Sequence, residues 1–282
     1  MATPLPSPSA YASPAWAPGK MKRISSPGGP EIALESVCIQ GIPALVTPAW
    51  ALEVPGAQAI ITCADNLKLG TLAVIDLPVK SEVDAAQWLA AGWHLQERHT
   101  RWSDLSGDVE EHLPKNRRKQ LRRARAAGFE VLPLDDMQIL AATHAASRNR
   151  KSIANDDGKL ISLLHRLNEA EEIRARGVRK PEGGWLATAG FVRVDHRWVY
   201  AFGGATEHTA DSAAALVLLL TEAMREAHEA GMLVFDFGGS ADPGVDKFYA
   251  EFGARKVLRW RAVKAQPWAR MWLKFRRPDL FA

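Results

Sequence analysis

Cysteine is scarce in this chain of 282 residues: only Cys38 and Cys63 occur. They have no CxxC spacing and no neighbouring histidine. A disulfide framework and a zinc site are therefore not expected, and both cysteines read as small core hydrophobes. Long apolar runs are missing too. The longest, Ala213 to Leu220, falls short of the ~20 residues that span a bilayer, and Glu222, Arg225 and Glu226 follow it. No apolar stretch of signal-peptide type opens the chain, because prolines interrupt Met1 to Lys20, a segment rich in Pro, Ser and Ala. That segment reads as a disordered leader, or as the product of an upstream start if Met21 begins the protein. A cytoplasmic, reducing location is the default expectation. Net charge is also small, +4 at pH 7, so any electrostatic role belongs to local clusters rather than to the whole chain. Hydrophobic residues make up 47% of the sequence, enough for a full core in one large domain or two smaller ones.

From about Glu31 to Leu77, short apolar runs (Ile32 to Leu34, Ala44 to Val46, Ala59 to Cys63, Thr71 to Ile75) are punctuated by Pro and Gly, the pattern of strands. A helix is expected from a Ser81 cap, with Ala85, Trp88 and Leu89 on its apolar face and Gly92 closing it. His94 to Trp102 reads as a strand. Asp108 to Ala127 reads as helix with a restart at Pro114, and Phe129 to Pro133 as a strand. Asp135 to His144 and Gly158 to Ala175 read as helices. Gly183 to Val194 and Arg197 to Gly203 form a hairpin turning at Asp195-His196. A long helix spans Ser212 to Ala230, followed by a Leu233 to Phe237 strand, a short helix around Phe248 and a last strand, Lys256 to Val263. Helices alternate with strands, yet the hairpin excludes a purely parallel sheet, so a mixed α/β fold is expected.

The segment Leu113-Pro-Lys-Asn-Arg-Arg-Lys-Gln-Leu-Arg-Arg-Ala-Arg-Ala-Ala-Gly-Phe-Glu-Val131 joins a basic helix to a strand. Trp198-Val-Tyr-Ala-Phe-Gly-Gly-Ala205 leads into the long helix. Phe235-Asp-Phe-Gly-Gly-Ser240 precedes Phe248-Tyr-Ala-Glu-Phe-Gly253. In this order, from about His99 to Val263, these motifs resemble the GNAT acyltransferase superfamily. The likeness is strongest to the branch of Fem-type aminoacyl transferases of peptidoglycan bridges and their acetyltransferase-like relatives. The resemblance implies a mixed-sheet GNAT-like fold in tandem form. A leader (1–20) and a degenerate N-terminal half (21–107) would precede the acyltransferase domain (108–265), with a basic aromatic tail (266–282) after it.

The same resemblance implies an N-acyltransferase: a primary amine attacks an activated acyl group directly, through a tetrahedral intermediate and with no metal. Strands Trp198–Phe202 and Leu233–Phe237 would splay to admit the donor. Tyr249 stands where the pattern places a general-acid tyrosine; its phenol stays protonated near neutrality. Fem-type enzymes often carry Lys there, so Tyr favours a thioester donor, acetyl-CoA or a longer acyl-CoA. Against that, Gly203 to Ser212 lacks the usual glycine-rich pyrophosphate spacing. Phe202, Gly203, Gly204, Ala205 and Thr206, with Ser212, Ala213 and Ala214 at the helix start, are the expected donor-binding residues. Asp211 or Ser212 is expected to cap that helix, and Asp211 and Glu207 add negative charge beside it. Glu207 and His208 are candidate bases or solvated loop residues. Asp236, set between Phe235 and Phe237, either orients the acceptor or forms a salt bridge to a basic helix. Phe237 and Ser240 are expected to line the acceptor site.

Lys115, Arg117, Arg118, Lys119, Arg122, Arg123 and Arg125 crowd one helix whose buried stripe is Leu121 and Ala124. Arg118 and Arg122 are the expected substrate-binding members. Such density suits phosphate on CoA, on a nucleotide-linked acceptor or on tRNA, and equally a solvated helix face. Three functions stay open: acyl transfer from an acyl-CoA-type donor to a primary amine, on a small molecule or a cell-wall precursor; transfer from aminoacyl-tRNA to a cell-wall precursor; or a non-catalytic nucleic-acid-binding module. In the tail, Trp268, Trp272 and Phe275 recur at helical spacing with cations opposite. This reads as a helix packed on its own protein or resting on a membrane surface.

Overall fold

A computed structural model describes residues 9–16, 21–25, 31–57, 70–79, 85–149, 156–239 and 242–281. The expected Ala59–Cys63 strand, the Ser81 cap, Cys63 and Ser240 lie outside these residues. In chain order the elements are β1 (Met21–Ser25), β2 (Glu31–Ile39), β3 (Ile42–Val46), β4 (Leu72–Asp76), α1 (Ala85–Ala90), β5 (His94–Asp104), α2 (Val109–His112), α3 (Lys115–Ala126), β6 (Glu130–Pro133), α4 (Met137–Asn149), α5 (Asp157–Glu169), β7 (Ile173–Arg179), β8 (Trp185–Val194), β9 (Arg197–Ala205), α6 (Ala210–Glu229), β10 (Val234–Asp236), α7 (Pro243–Ala250), β11 (Arg255–Ala265) and α8 (Pro267–Arg276). They form two compact units: one is Arg101–Arg255, and the other combines Tyr11–Thr100 with Lys256–Ala282.

In the unit Arg101–Arg255 the strands run in the order β5-β10-β9-β8-β7-β6. Every neighbouring pair is antiparallel except β10 and β9, which are parallel. The parallel pair is joined through α6, whose length suits such a crossover. Helix α6 buries Val217, Leu219, Leu220, Ala223, Met224 and Ala227 at helical spacing. They share one core with Leu121 and Ala124 of α3 and with Phe191, Phe235 and Phe237 of the sheet. Helices α4 and α5 pack together and α4 covers β9 and β8.

Two differences from the sequence reading have clear causes. The helix expected to run to Ala175 stops at Glu169, and Glu171 turns the chain with φ +56°. Ile173 to Arg179 is then a strand, with Ile173, Ala175, Gly177 and Val178 buried and Arg174 and Arg179 exposed. Its run of Glu, Arg and Ala looks helical by composition, and the alternation is masked by small residues on the buried face. Gly177 is small because the Trp185 indole lies 2.5 Å from where a Cβ would stand. The restart at Pro114 is as expected: Asp108 caps α2, and Pro114 precedes the first residue of α3.

In the other unit the order is β1-β2-β3-β4-β11, mixed because β3 and β4 are parallel. Trp88 and Trp93 pack edge to face over Ile75, Leu34 and Ala262. Leu89, expected on the buried face of α1, is 67% exposed, and Cys38 is exposed on β2 rather than in the core. Asp76 is buried and is held by bidentate hydrogen bonds from Arg261 at 3.0 and 2.9 Å. Helix α8 packs through Ala269 and Leu273, both fully buried. The expected packing stripe of Trp268, Trp272 and Phe275 faces outward instead.

Candidate active site

Strands β10 and β9 pair over three residues, Val234 with Arg197, Phe235 with Trp198 and Asp236 with Val199. There the pairing stops, while β9 continues to Ala205 beside β8. Past Asp236 the chain turns to β5 instead: the Phe237 N–H donates to the Arg101 carbonyl at 2.8 Å, and the Arg101 N–H donates to the Gly238 carbonyl at 3.3 Å. The two parallel strands therefore fork from Tyr200 onward.

Tyr249 of α7 sits at this fork. Its ring stacks on Phe237 (centroids 5.0 Å apart, 28° between planes) and meets Tyr200 edge-on at 6.3 Å. Asp242 caps α7 by accepting from the Gly244 N–H at 2.8 Å, and Pro243 opens the helix, which aims Tyr249 inward. Burial, with the Asp242 carboxylate second, raises the Tyr249 phenol above its ordinary value. Burial and Tyr249 do the same to Tyr200. Both groups therefore remain neutral donors across the working pH range. Tyr200 was not singled out from sequence; its signal was its place in Trp198-Val-Tyr-Ala-Phe, on the strand expected to splay. A raised phenol means that the folded state keeps a proton that the unfolded chain releases above about pH 10. Folding stability should thus fall as pH rises above about 10. Urea unfolding across that range checks this, and the fall should be shallower in Tyr200→Phe.

Asp236 occupies the last rung before the fork. Its carboxylate is 1% exposed and accepts from Trp102 Nε1 at 2.8 Å, the Arg197 guanidinium at 3.0 Å and the Gly238 N–H at 2.9 Å. The salt bridge is to a strand arginine, not to a basic helix, and the oxygens are engaged by protein donors rather than turned toward an acceptor amine. Phe237 is likewise 2% exposed within the aromatic core.

The expected donor loop is tied down in part. Phe202 is buried against the His144 ring at 5.6 Å, and the Gly203 N–H donates to His144 Nδ1 at 3.2 Å. Gly203 has φ +106°, and a Cβ there would lie 2.1 Å from the Thr188 carbonyl oxygen, so only glycine fits. Gly204 follows in β9, and Ala205 ends the strand. Thr206 donates through its N–H and its hydroxyl to the Leu186 carbonyl. His144, brought in by α4, had no sequence signal.

The cap of α6 is Thr209, not Asp211 or Ser212: its hydroxyl accepts from the Ser212 N–H at 3.1 Å, and its carbonyl accepts from the Ala213 N–H at 3.0 Å. The helix therefore starts before Ser212, and the amides of Ser212, Ala213 and Ala214 are consumed within it. The first-turn N–H groups belong to Ala210 and Asp211. Arg123 of α3 reaches the Asp211 carboxylate at 2.8 Å, offsetting the negative charge there. Glu207 and His208 are both exposed on the connection before the cap. Arg117 and Arg125 pair with Glu251 and Glu110. Lys115, Arg118, Lys119 and Arg122 form an exposed stripe, and no carboxylate pairs with them among the described residues. Among those residues no cluster of three or more His, Cys, Asp or Glu is placed to hold a metal ion.

Residues 115–243 match the family model described as an acetyltransferase (GNAT) domain. Comparison with the curated proteins returns no match. Among solved structures, the chain resembles FemX, with TM-score 0.67, 14% identity and coverage of 90% of both chains. It also resembles L-PGS from Bacillus licheniformis, with TM-score 0.62, 12% identity and coverage of 96% of this chain and 92% of that one. A tandem GNAT protein from the clavulanic acid biosynthesis pathway gives TM-score 0.53 at 13% identity, covering 88% of this chain and 84% of that one. At such identities these likenesses speak for the fold alone. Residues 115–243 thus match a GNAT acetyltransferase domain, and the fold of the chain resembles that of FemX.

Proposed function

We propose that the protein transfers an acyl group from an acyl-CoA-type thioester to a primary amine. The observation that carries this reading is the position of Tyr249, its ring stacked on Phe237 and edge-on to Tyr200 where β9 and β10 part. The amine lone pair attacks the thioester carbonyl carbon, and the carbonyl electrons move onto oxygen. The tetrahedral intermediate then collapses by breaking the C–S bond, the amine nitrogen loses its proton, and the departing sulfur gains one. Tyr249 donates to that sulfur. A phenol raised by burial is a weak acid, yet burial raises a thiolate beside it for the same reason, so the transfer stays near balance. The first-turn amides of α6, with Arg123 alongside, suit the donor's pyrophosphate. Asp236 acts in this reading as the clasp that fixes the fork rather than as a catalytic group. Arg118 and Arg122 meet donor or acceptor phosphate. Glu207 or His208 accepts the amine proton, and the acceptor is a small-molecule or cell-wall-precursor amine used in the cytoplasm.

A second reading, with aminoacyl-tRNA as donor, is favoured by the unpaired stripe of Lys115, Arg118, Lys119 and Arg122, which spans two turns of α3. Thermal unfolding separates the two. Acetyl-CoA or a longer acyl-CoA is expected to raise the melting temperature in the micromolar to millimolar range, and charged tRNA is not. A shift with charged tRNA alone, lost in Arg118→Glu/Arg122→Glu, would transfer the assignment to the second reading.

A further inference from the structure

Helix α8 buries one narrow face, Ala269 and Leu273, and presents another to solvent. Trp268, Met271, Trp272 and Phe275 are 58%, 66%, 47% and 84% exposed. Their spacing of i, i+3, i+4 and i+7 places them in one stripe along the helix. The β2–β3 turn at Gln40-Gly41, with Ile42, lines the same open groove of about 680 Å³. An apolar face of this kind on a folded unit calls for an occupant.

We propose that this face seats the protein on an anionic phospholipid surface. Charge is the deciding observation. From Gln266 to Ala282 the chain carries Arg270, Lys274, Arg276 and Arg277 against a single acid, Asp279. Arg277 already holds Asp279 through two hydrogen bonds of 2.8 Å. By helical geometry Lys274 and Arg276 flank the apolar stripe on opposite sides, and Arg276 rests on the Trp272 ring at 5.1 Å. Apolar side chains including two tryptophans, bordered by cations, match the boundary between acyl chains and anionic headgroups. A second copy of this chain fits less well: a two-fold contact would set each cationic border against its own duplicate. At ten residues α8 is about 15 Å long, so it lies in the interface plane. No helix among the described residues is long and apolar enough to cross a membrane.

The inference does not depend on which acyl donor is used, and its test reads no catalysis. The full chain is sedimented with phosphatidylcholine vesicles with and without phosphatidylglycerol. Sedimentation velocity is run in parallel. Binding is expected only with phosphatidylglycerol and should weaken with salt. Met271→Ser/Phe275→Ser and, separately, Lys274→Glu/Arg276→Glu should each lower the vesicle partition coefficient by about tenfold or more, with unchanged melting temperature. All four side chains are exposed, so loss of folding is not the expected confounder. Absence of binding to phosphatidylglycerol vesicles, or binding indifferent to both variants, overturns the proposal. So does a dimer that Met271→Ser/Phe275→Ser dissolves when no vesicle binding is seen.

Discussion

Asp236→Ala is expected to destabilise the unit Arg101–Arg255 by about 3–5 kcal/mol, the range for removing one partner of a buried ion pair. The carboxylate is almost wholly buried, and Arg197, its partner at 3.0 Å, is 8% exposed. Truncation removes the carboxylate that the buried guanidinium pairs with, and it also removes the acceptor at 2.8 Å from the Trp102 indole and at 2.9 Å from the Gly238 N–H. Against a typical stability of ~5–15 kcal/mol this is a large fraction. Urea denaturation should show a lower midpoint with an unchanged slope. Arg197→Ala combined with Asp236→Ala should lose less than the sum of the two single changes, because they share one interaction. An unchanged midpoint for Asp236→Ala would remove the clasp from the account of how the fork is held.

Tyr249→Phe is expected to slow acyl transfer at least tenfold, about 1.4 kcal/mol in the barrier, with little effect on donor affinity. The substitution deletes only the hydroxyl. The ring keeps its stacking on Phe237 at 5.0 Å and its edge contact with Tyr200 at 6.3 Å, so the fork should persist. Thiol release from acetyl-CoA in the presence of an amine measures the rate, and the melting shift by acetyl-CoA measures donor binding. A loss in kcat with KM preserved marks a group that acts only as charge develops on the leaving sulfur. Turnover equal to the parent protein's would take the phenol out of the mechanism. Tyr200→Phe is the informative control, since Tyr200 stands at the same fork on the strand side.

Much of the site's frame was legible because it rests on short-range signals. Pro114 and Asp108 punctuate α2 and α3. The Asp195 turn, with φ +53°, joins β8 to β9. The apolar stripe of α6 declares its buried face. Where the reading failed, the deciding partner was remote in sequence. The strand Ile173–Arg179 is set by its neighbours β6 and β8 rather than by its own composition. For Asp236 the sequence leaves open an acceptor-orienting role or a salt bridge, because its partners, Trp102 and Arg197, are 134 and 39 residues away. Thr209 won the cap of α6 over Asp211 and Ser212, and so the amides expected to hold the donor are used inside the helix.

The sequence alone determined the mixed α/β order, the GNAT likeness and the presence of a phenol on the helix after β10, because periodicity, caps and turns act over a few residues. Only the tertiary structure decided that β9 and β10 part after Val199, that Tyr200 and Phe237 enclose Tyr249, and that α8 turns its aromatic stripe outward. These outcomes depend on which distant strand or helix claims each hydrogen bond and each apolar face, a competition that no local pattern records.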